Sequence, residues 1–220
     1  MALIVFDLDG TLVDSRRDLA DAANAMLASY GVAPLGEDEV ARMVGDGAAV
    51  LVGRLLERRG LPAPLPEALE RFLEAYNTRL TAHTRPYDGI PEALAGAAAI
   101  APLAVLTNKP GEQTVAILDA LGLRDPFRWV IGGNSRFPRK PDPASLQYLA
   151  TEAGAGPGQV VLVGDSIVDV RTARHAGTRL CVARYGFGFA SISEGTLTPG
   201  EVVVDHPGEI VGVVRRMVEG

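Results

Sequence analysis

The sequence predicts an α/β fold in which a parallel sheet, covered by helices on both faces, is interrupted near its start by a helical insert. Three observations lead there. The chain opens on a short apolar strand, Leu3 to Phe6. From Ser15 to Pro86 the apolar spacing is helical, with no strand pattern between. From Pro91 onward helical and strand patterns alternate, and strands that alternate with helices pair in parallel beneath covering layers. The doubly wound core is therefore expected at 1–14 and 87–220, and the helical cap at 15–86.

Each element follows from its residues. After the first strand, Leu19, Ala22, Ala23, Met26, Leu27 and Tyr30 recur at helical spacing, with Asp14 or Ser15 to cap and Gly31 to terminate. Glu37 to Val44, Ala48 to Arg59 and Glu67 to His83 read as further helices separated by Gly and Pro. Tyr87-Asp88-Gly89-Ile90-Pro91 supplies the turn residues for re-entry into the core. There the predicted order is helix 92–99, strand 103–106, helix 111–121, strand 128–131, helix 144–153 and strand 160–163. Strands 180–183 and 202–204 and helix 209–218 complete the sheet domain.

A chain of 220 residues with 47% hydrophobic content is long enough to bury a substantial core. Its net charge of -6, without a basic tract, is unfavourable for nucleic-acid phosphates. No apolar run reaches the roughly 18 residues that would span a bilayer, and no signal-like segment precedes the first strand, so a cytoplasmic monomer or homodimer is expected. Cys181 stands alone in an apolar run and reads as a buried structural thiol.

Asp7 and Asp9 carry the chemical signal. Residues two apart in extended chain point to the same side, so both carboxylates can face one reacting phosphorus where the strand ends, and Gly10 permits a sharp exit. Two carboxylates about 4 Å apart repel by roughly 4 kcal/mol at an effective dielectric near 20, and a phosphoryl group adds more negative charge, so the site calls for a cation. Ligands of open parallel sheets sit at the carboxyl ends of the strands. Thr107 and Asn108 follow one predicted strand there, Gly164-Asp165-Ser166 follows another with Asp169 one helical turn on, and Lys140 precedes a helix. Only Lys109 and Lys140 are lysines among 21 basic residues, and both lie in loops after motif-like sequence, where a compact ammonium can meet a phosphoryl oxygen.

Phe6 to Ser15 (FDLDGTLVDS), Thr107-Asn108, Lys140-Pro141 and Gly164-Asp165-Ser166 with Asp169 resemble, in order, the four motifs of the haloacid dehalogenase-like hydrolases. The resemblance implies a Rossmann-like core with a helical cap and a Mg²⁺-dependent reaction on a small phosphorylated metabolite. It implies Asp7 as nucleophile and Asp9 as acid and base. Asp7, the carbonyl of Asp9 and Asp165 would hold Mg²⁺, with Asp169 near it, and Thr107, the amide of Asn108 and Lys140 would bind phosphoryl oxygens. Val44-Gly45-Asp46-Gly47, Thr107-Asn108-Lys109-Pro110 and the Ile131-Gly132-Gly133 and Arg139-Lys140-Pro141 segments look most like the branch acting on 2-phosphoglycolate, with Asn134 in place of an expected Asp.

Asp9 argues against a dehalogenase, because halide departure needs no proton, and the lysine-free insert argues against imine chemistry. Another small ester, pyrophosphate, a sugar-phosphate mutase, or a phosphate-binding protein without activity remain alternatives. A carboxylated substrate would have to be met from the cap, where Gly45, Asp46 and Gly47 open a helix whose dipole favours an anion, with Arg42 or Arg54 in reach. Lys109 is placed outside the phosphoryl shell.

Overall fold

The computed structural model describes residues 1–219. Six parallel strands form the sheet: β1 (Leu3–Phe6), β4 (Leu103–Leu106), β5 (Phe127–Ile131), β6 (Val160–Gly164), β7 (Arg179–Ala183) and β8 (Val202–Val204), in the order β5-β4-β1-β6-β7-β8. Two-residue β2 (Val13–Asp14) and β3 (Arg85–Pro86) pair antiparallel. Nine helices are described: α1 (Arg16–Ser29), α2 (Glu37–Ala41), α3 (Ala48–Arg59), α4 (Leu65–Asn77), α5 (Ile90–Ala98), α6 (Gly111–Ala120), α7 (Ala144–Glu152), α8 (Ile167–Ala176) and α9 (Ile210–Glu219).

Strand alternation divides the core. Ile4 and Phe6 point into one cluster with Leu94, Ile117 and Val214, whereas Leu3 and Val5 point into the opposite one with Leu146, Leu149 and Val170. Burying each such large side chain contributes about 1.5–3 kcal/mol. Strands covered on both faces are apolar at every position, as all four residues of β1 are. Cys181 lies in this core, where burial pushes its thiol up to about 12.

The chain runs from β1 outward to β4 and β5 on one side and then returns to β6 on the other, so strand order reverses at β1 and a crevice opens beyond its carboxyl end. Helices α1–α4 lie between β2 and β3 and share a separate hydrophobic cluster built on Leu27, Leu55 and Phe72. The predicted helix to His83 stops at Asn77. The Thr78 hydroxyl and the Arg79 guanidinium both donate to the Ala75 carbonyl, and buried Asp18 then accepts the His83 and Thr84 amides and the Thr84 hydroxyl, which draws the chain back toward the core. The predicted helix at 37–44 is likewise only α2, since beyond Ala41 the Met43 and Val44 amides bond three residues back, to Val40 and Ala41, before Gly45 turns the chain at φ 127. The β2–β3 pair is absent from the sequence reading because two residues carry no periodicity.

Candidate active site

β1 ends at Phe6, and Asp7 continues its hydrogen bonding by donating its amide to the Val163 carbonyl of β6. Asp7 Oδ1 accepts the Leu8 amide at 2.8 Å and lies 3.0 Å from Lys140 Nζ. Burial pushes the Asp7 carboxyl up to about 6; Lys140 pulls against that shift and Asp169 adds to it. Gly10, at φ 85, turns the chain so closely over Asp165 that a Cβ would collide with its carboxylate.

Asp9 is held from two sides: Ser15 Oγ donates to its Oδ1 at 2.6 Å, and Lys109 Nζ reaches both oxygens at 2.8 and 2.9 Å. Lys109, placed outside the phosphoryl shell from the sequence, therefore stands beside Asp9 and lines the cavity. Burial alone would favour the neutral amine, but Asp9 outweighs it and holds the Lys109 ammonium charged.

Lys140 and Asp169 form the second buried pair. Lys140 Nζ lies 2.7 Å from Asp169 Oδ1, and Asp169 Oδ2 accepts the Ser166 hydroxyl at 2.6 Å and its amide at 3.1 Å. Ser166 and Asp169 make a reciprocal cap on α8, which fixes the Asp169 rotamer. Both Asp169 oxygens are thus engaged, and its immediate effect is to orient Lys140 toward Asp7.

Asp165 accepts the Gly188 amide at 2.7 Å and the Thr11 hydroxyl at 3.3 Å. Burial pushes its carboxyl well above the usual carboxylate range, with Asp169 and Asp7 adding to the shift. Asp7, Asp165 and Asp169 each offer an oxygen within 4.8 Å of one another, all buried. Three crowded carboxylates against one ammonium, Lys140, leave excess negative charge, and an all-oxygen set suits a hard divalent ion.

Thr107 and Asn108 follow β4 and border a cavity that Asp7, Asp9 and Asp165 also line. Thr107 Oγ1 accepts the Lys109 amide at 3.2 Å, and Asn108 Nδ2 donates to Lys140 O at 2.9 Å and to Gly45 O at 3.0 Å, tying strand end to insert. Asn134, where an Asp was expected, accepts the Gly111 amide at 2.8 Å and so caps α6.

From the insert the cavity receives Val44, Gly45, Gly47, Ala48, Leu51, Phe72, Leu73 and Tyr76. The two arginines expected there do not line it. Arg42 is exposed, and Arg54 donates to Asp46 Oδ2 at 2.5 Å and to Met43 O at 2.7 Å. Arg139 instead stands beside the insert loop: a Cβ on Gly47 would come within 3.1 Å of its Nη1. Ser15, read from the sequence as a helix cap, donates instead to Asp9; Tyr76 had no role in that reading; and the glycine-punctuated loop 184–189, which the sequence left as either a neighbour of the site or a plain connection, reaches Asp165 through the Gly188 amide.

Comparison with known proteins agrees with the geometry. A family model described as haloacid dehalogenase-like hydrolase matches residues 4–183, and the chain belongs to that family. It is 42% identical over 193 residues to a phosphoglycolate phosphatase of Rhodospirillum rubrum, covering 84% of this chain and 80% of the relative. It is 33% identical over 217 residues to an N-acetylmuramic acid 6-phosphate phosphatase of Pseudomonas aeruginosa, covering 97% and 94%. The crystal structure of a predicted phosphoglycolate phosphatase from Haemophilus somnus superposes with a TM-score of 0.90 at 32% identity, covering 97% of each chain. No described helix is long and apolar enough to cross a membrane.

Proposed function

We propose that the protein is a Mg²⁺-dependent phosphatase acting through an aspartyl phosphate on a small carboxylated phosphomonoester, with 2-phosphoglycolate the leading substrate. The observation that carries this reading is the pair of strand-end carboxylates in different settings, Asp7 beside Lys140 and Asp9 beside Ser15 and Lys109. Two carboxylates at one centre with separate partners suit separate roles.

In this reading 1–14 and 87–220 form the catalytic core and 15–86 the cap. An Asp7 oxygen attacks phosphorus as the bond to the leaving oxygen breaks, and Asp9 delivers a proton to that oxygen. Asp9 then takes a proton from water, which attacks the phosphorus and releases Asp7 and inorganic phosphate. Thr107, the Asn108 amide and Lys140 meet the phosphoryl oxygens, whose charge is spread over three equatorial positions in the transition state. Asp7, the Asp9 carbonyl and Asp165 are the proposed Mg²⁺ holders, with Asp169 beside them, and the ion supplies positive charge that offsets the crowded carboxylates. Gly45, Asp46 and Gly47 enter as the cap loop over the site.

The named relatives support the substrate, and both of the names quoted above specify carboxylated phosphates. A panel at saturating Mg²⁺ containing 2-phosphoglycolate, N-acetylmuramic acid 6-phosphate, hexose phosphates, pyrophosphate and nitrophenyl phosphate tests it. Phosphoglycolate is expected to lead in kcat/KM by at least about tenfold, a difference of 1.4 kcal/mol. A lead for the muramic ester would transfer the assignment to that larger acid, and no hydrolysis of any ester would overturn the phosphatase reading.

A further inference from the structure

The cavity wall carries polar features that the chemistry at Asp7 does not require. Its insert side is largely apolar, through Val44, Leu51, Phe72 and Leu73, and Lys109 is the only cationic side chain among the described residues that line it. The ammonium touches both Asp9 oxygens and lies 4.7 Å from the centroid of the Tyr76 ring, so it stands between core and insert. Three buried lining side chains each hold a polar atom with no hydrogen-bond partner among the described residues: Tyr76 Oη, Asn108 Oδ1 and Gln113 Oε1. Gln113 Nε2 is already committed to Asn77 Oδ1 at 2.9 Å. A buried polar atom without a partner is costly; the two amide oxygens only accept, so of the three it is the Tyr76 hydroxyl that can donate to the polar end of an anionic ligand.

The distances place that polar end. Asp9 serves the bridging oxygen of the ester in the reading above, and Lys109 is in contact with Asp9. In 2-phosphoglycolate the carboxyl carbon is two bonds from the bridging oxygen, which brings the carboxylate within reach of the same ammonium. Arg42 and Arg54, the insert cations expected to do this, are respectively exposed and paired with Asp46.

We propose that Lys109 and the Tyr76 hydroxyl form the subsite for the leaving-group carboxylate, the ammonium supplying charge and the phenol a directed hydrogen bond. The proposal rests on the phosphatase reading and moves recognition of the acid from the insert arginines to the Thr107-Asn108-Lys109 segment. Burial pushes the Tyr76 phenol up to about 12 against the pull of Lys109, so it keeps its proton and remains a donor at neutral pH. Charge-assisted bonds of this kind are the strong ones, and a site built around them rejects a ligand lacking the charge.

The test compares 2-phosphoglycolate with 2-hydroxyethyl phosphate, which keeps the ester and replaces the carboxylate by an alcohol. The native protein is expected to prefer the acid by about 10²-fold in kcat/KM. Lys109→Met should bring that preference to within about threefold whatever happens to both rates, and Lys109→Arg should restore part of it. Tyr76→Phe, which keeps the ring, should lower the preference by about three- to tenfold, mostly through KM. Equal losses on the two esters, with the preference intact, would mean that Lys109 acts only through Asp9 and would overturn the subsite. Calorimetric binding in an Asp7→Asn background separates this from failure of the phosphatase reading. Even if neither ester is hydrolysed, Lys109→Met should weaken 2-phosphoglycolate by more than it weakens 2-hydroxyethyl phosphate, and a loss no larger for the acid than for the alcohol contradicts the proposal.

Discussion

On the core side of the cavity the charges sit in buried pairs, Lys140 with Asp7 and Asp169 and Lys109 with Asp9, whereas the insert side presents Val44, Leu51, Phe72 and Leu73 with the unpartnered hydroxyl of Tyr76. The core side stands at the end of rigid strands and fixes charges for one reaction centre. The insert side is a helical wall whose shape can vary without disturbing those pairs. Changes to Asp7, Asp9 or Lys140 should therefore lower every reaction together, whereas changes to the insert side, or to Lys109 where it meets Tyr76, should reorder substrates.

The largest expected effect is on the core carboxylates. Asp7→Asn should remove turnover with every ester. Asp9→Asn should cost about 10²- to 10⁴-fold with an alkoxide leaving group and less with nitrophenolate, which needs little protonation. Equal losses with both leaving groups would assign Asp9 to the fold or the metal instead of to proton transfer. Next, Lys140→Ala should cost about 3–4 kcal/mol of transition-state stabilisation across the whole panel, measured as kcat/KM. Selective loss with one ester would erase the contrast between the two sides.

A smaller effect concerns the cation and pH. The Asp7 carboxyl rises from 3.8 to about 6 on folding without a metal, through burial first. A raised carboxyl stabilises the fold below its unfolded pKa, and that contribution is lost as pH climbs through the folded value. A cation that needs the carboxylate must displace the proton below about 6. The gain in Tm on adding Mg²⁺ should therefore grow between pH 5 and pH 7 and then level. A gain that is larger at pH 5 contradicts Asp7 as a ligand.

The smallest effects belong to the insert arginines. Arg42→Ala should leave kcat/KM within about twofold, because the side chain is exposed, and Arg54→Ala should cost under about 1 kcal/mol of stability, since the Asp46 pair is about one-third exposed on each side. A loss of phosphoglycolate preference in Arg54→Ala would return recognition of the acid to the insert.

This contrast also decides what the sequence could tell. The strand-end carboxylates were legible because Asp7-Leu8-Asp9-Gly10 encodes its own geometry: period two, a turn glycine and an apolar strand before it. The helices of the insert were legible from spacing, with α3 at its predicted bounds of Ala48–Arg59. The position of Lys109 was not, because its partner Asp9 is 100 residues distant and only the adjacency of β1 and β4 brings them together. Asp18 with Thr84, and Asp165 with Gly188, are long-range closures of the same kind. The Arg54–Asp46 pair reversed the expected use of that arginine because an acidic neighbour eight residues away satisfied it first.

The most direct measurement is to trap the phosphoryl group on the protein. With Mg²⁺ present, acid quenching during turnover of 2-phosphoglycolate, followed by peptide mass analysis, should find a phosphoryl adduct on Asp7, and Asp7→Asn should carry none. Turnover that proceeds with no adduct, or with the adduct on another residue, would contradict the account.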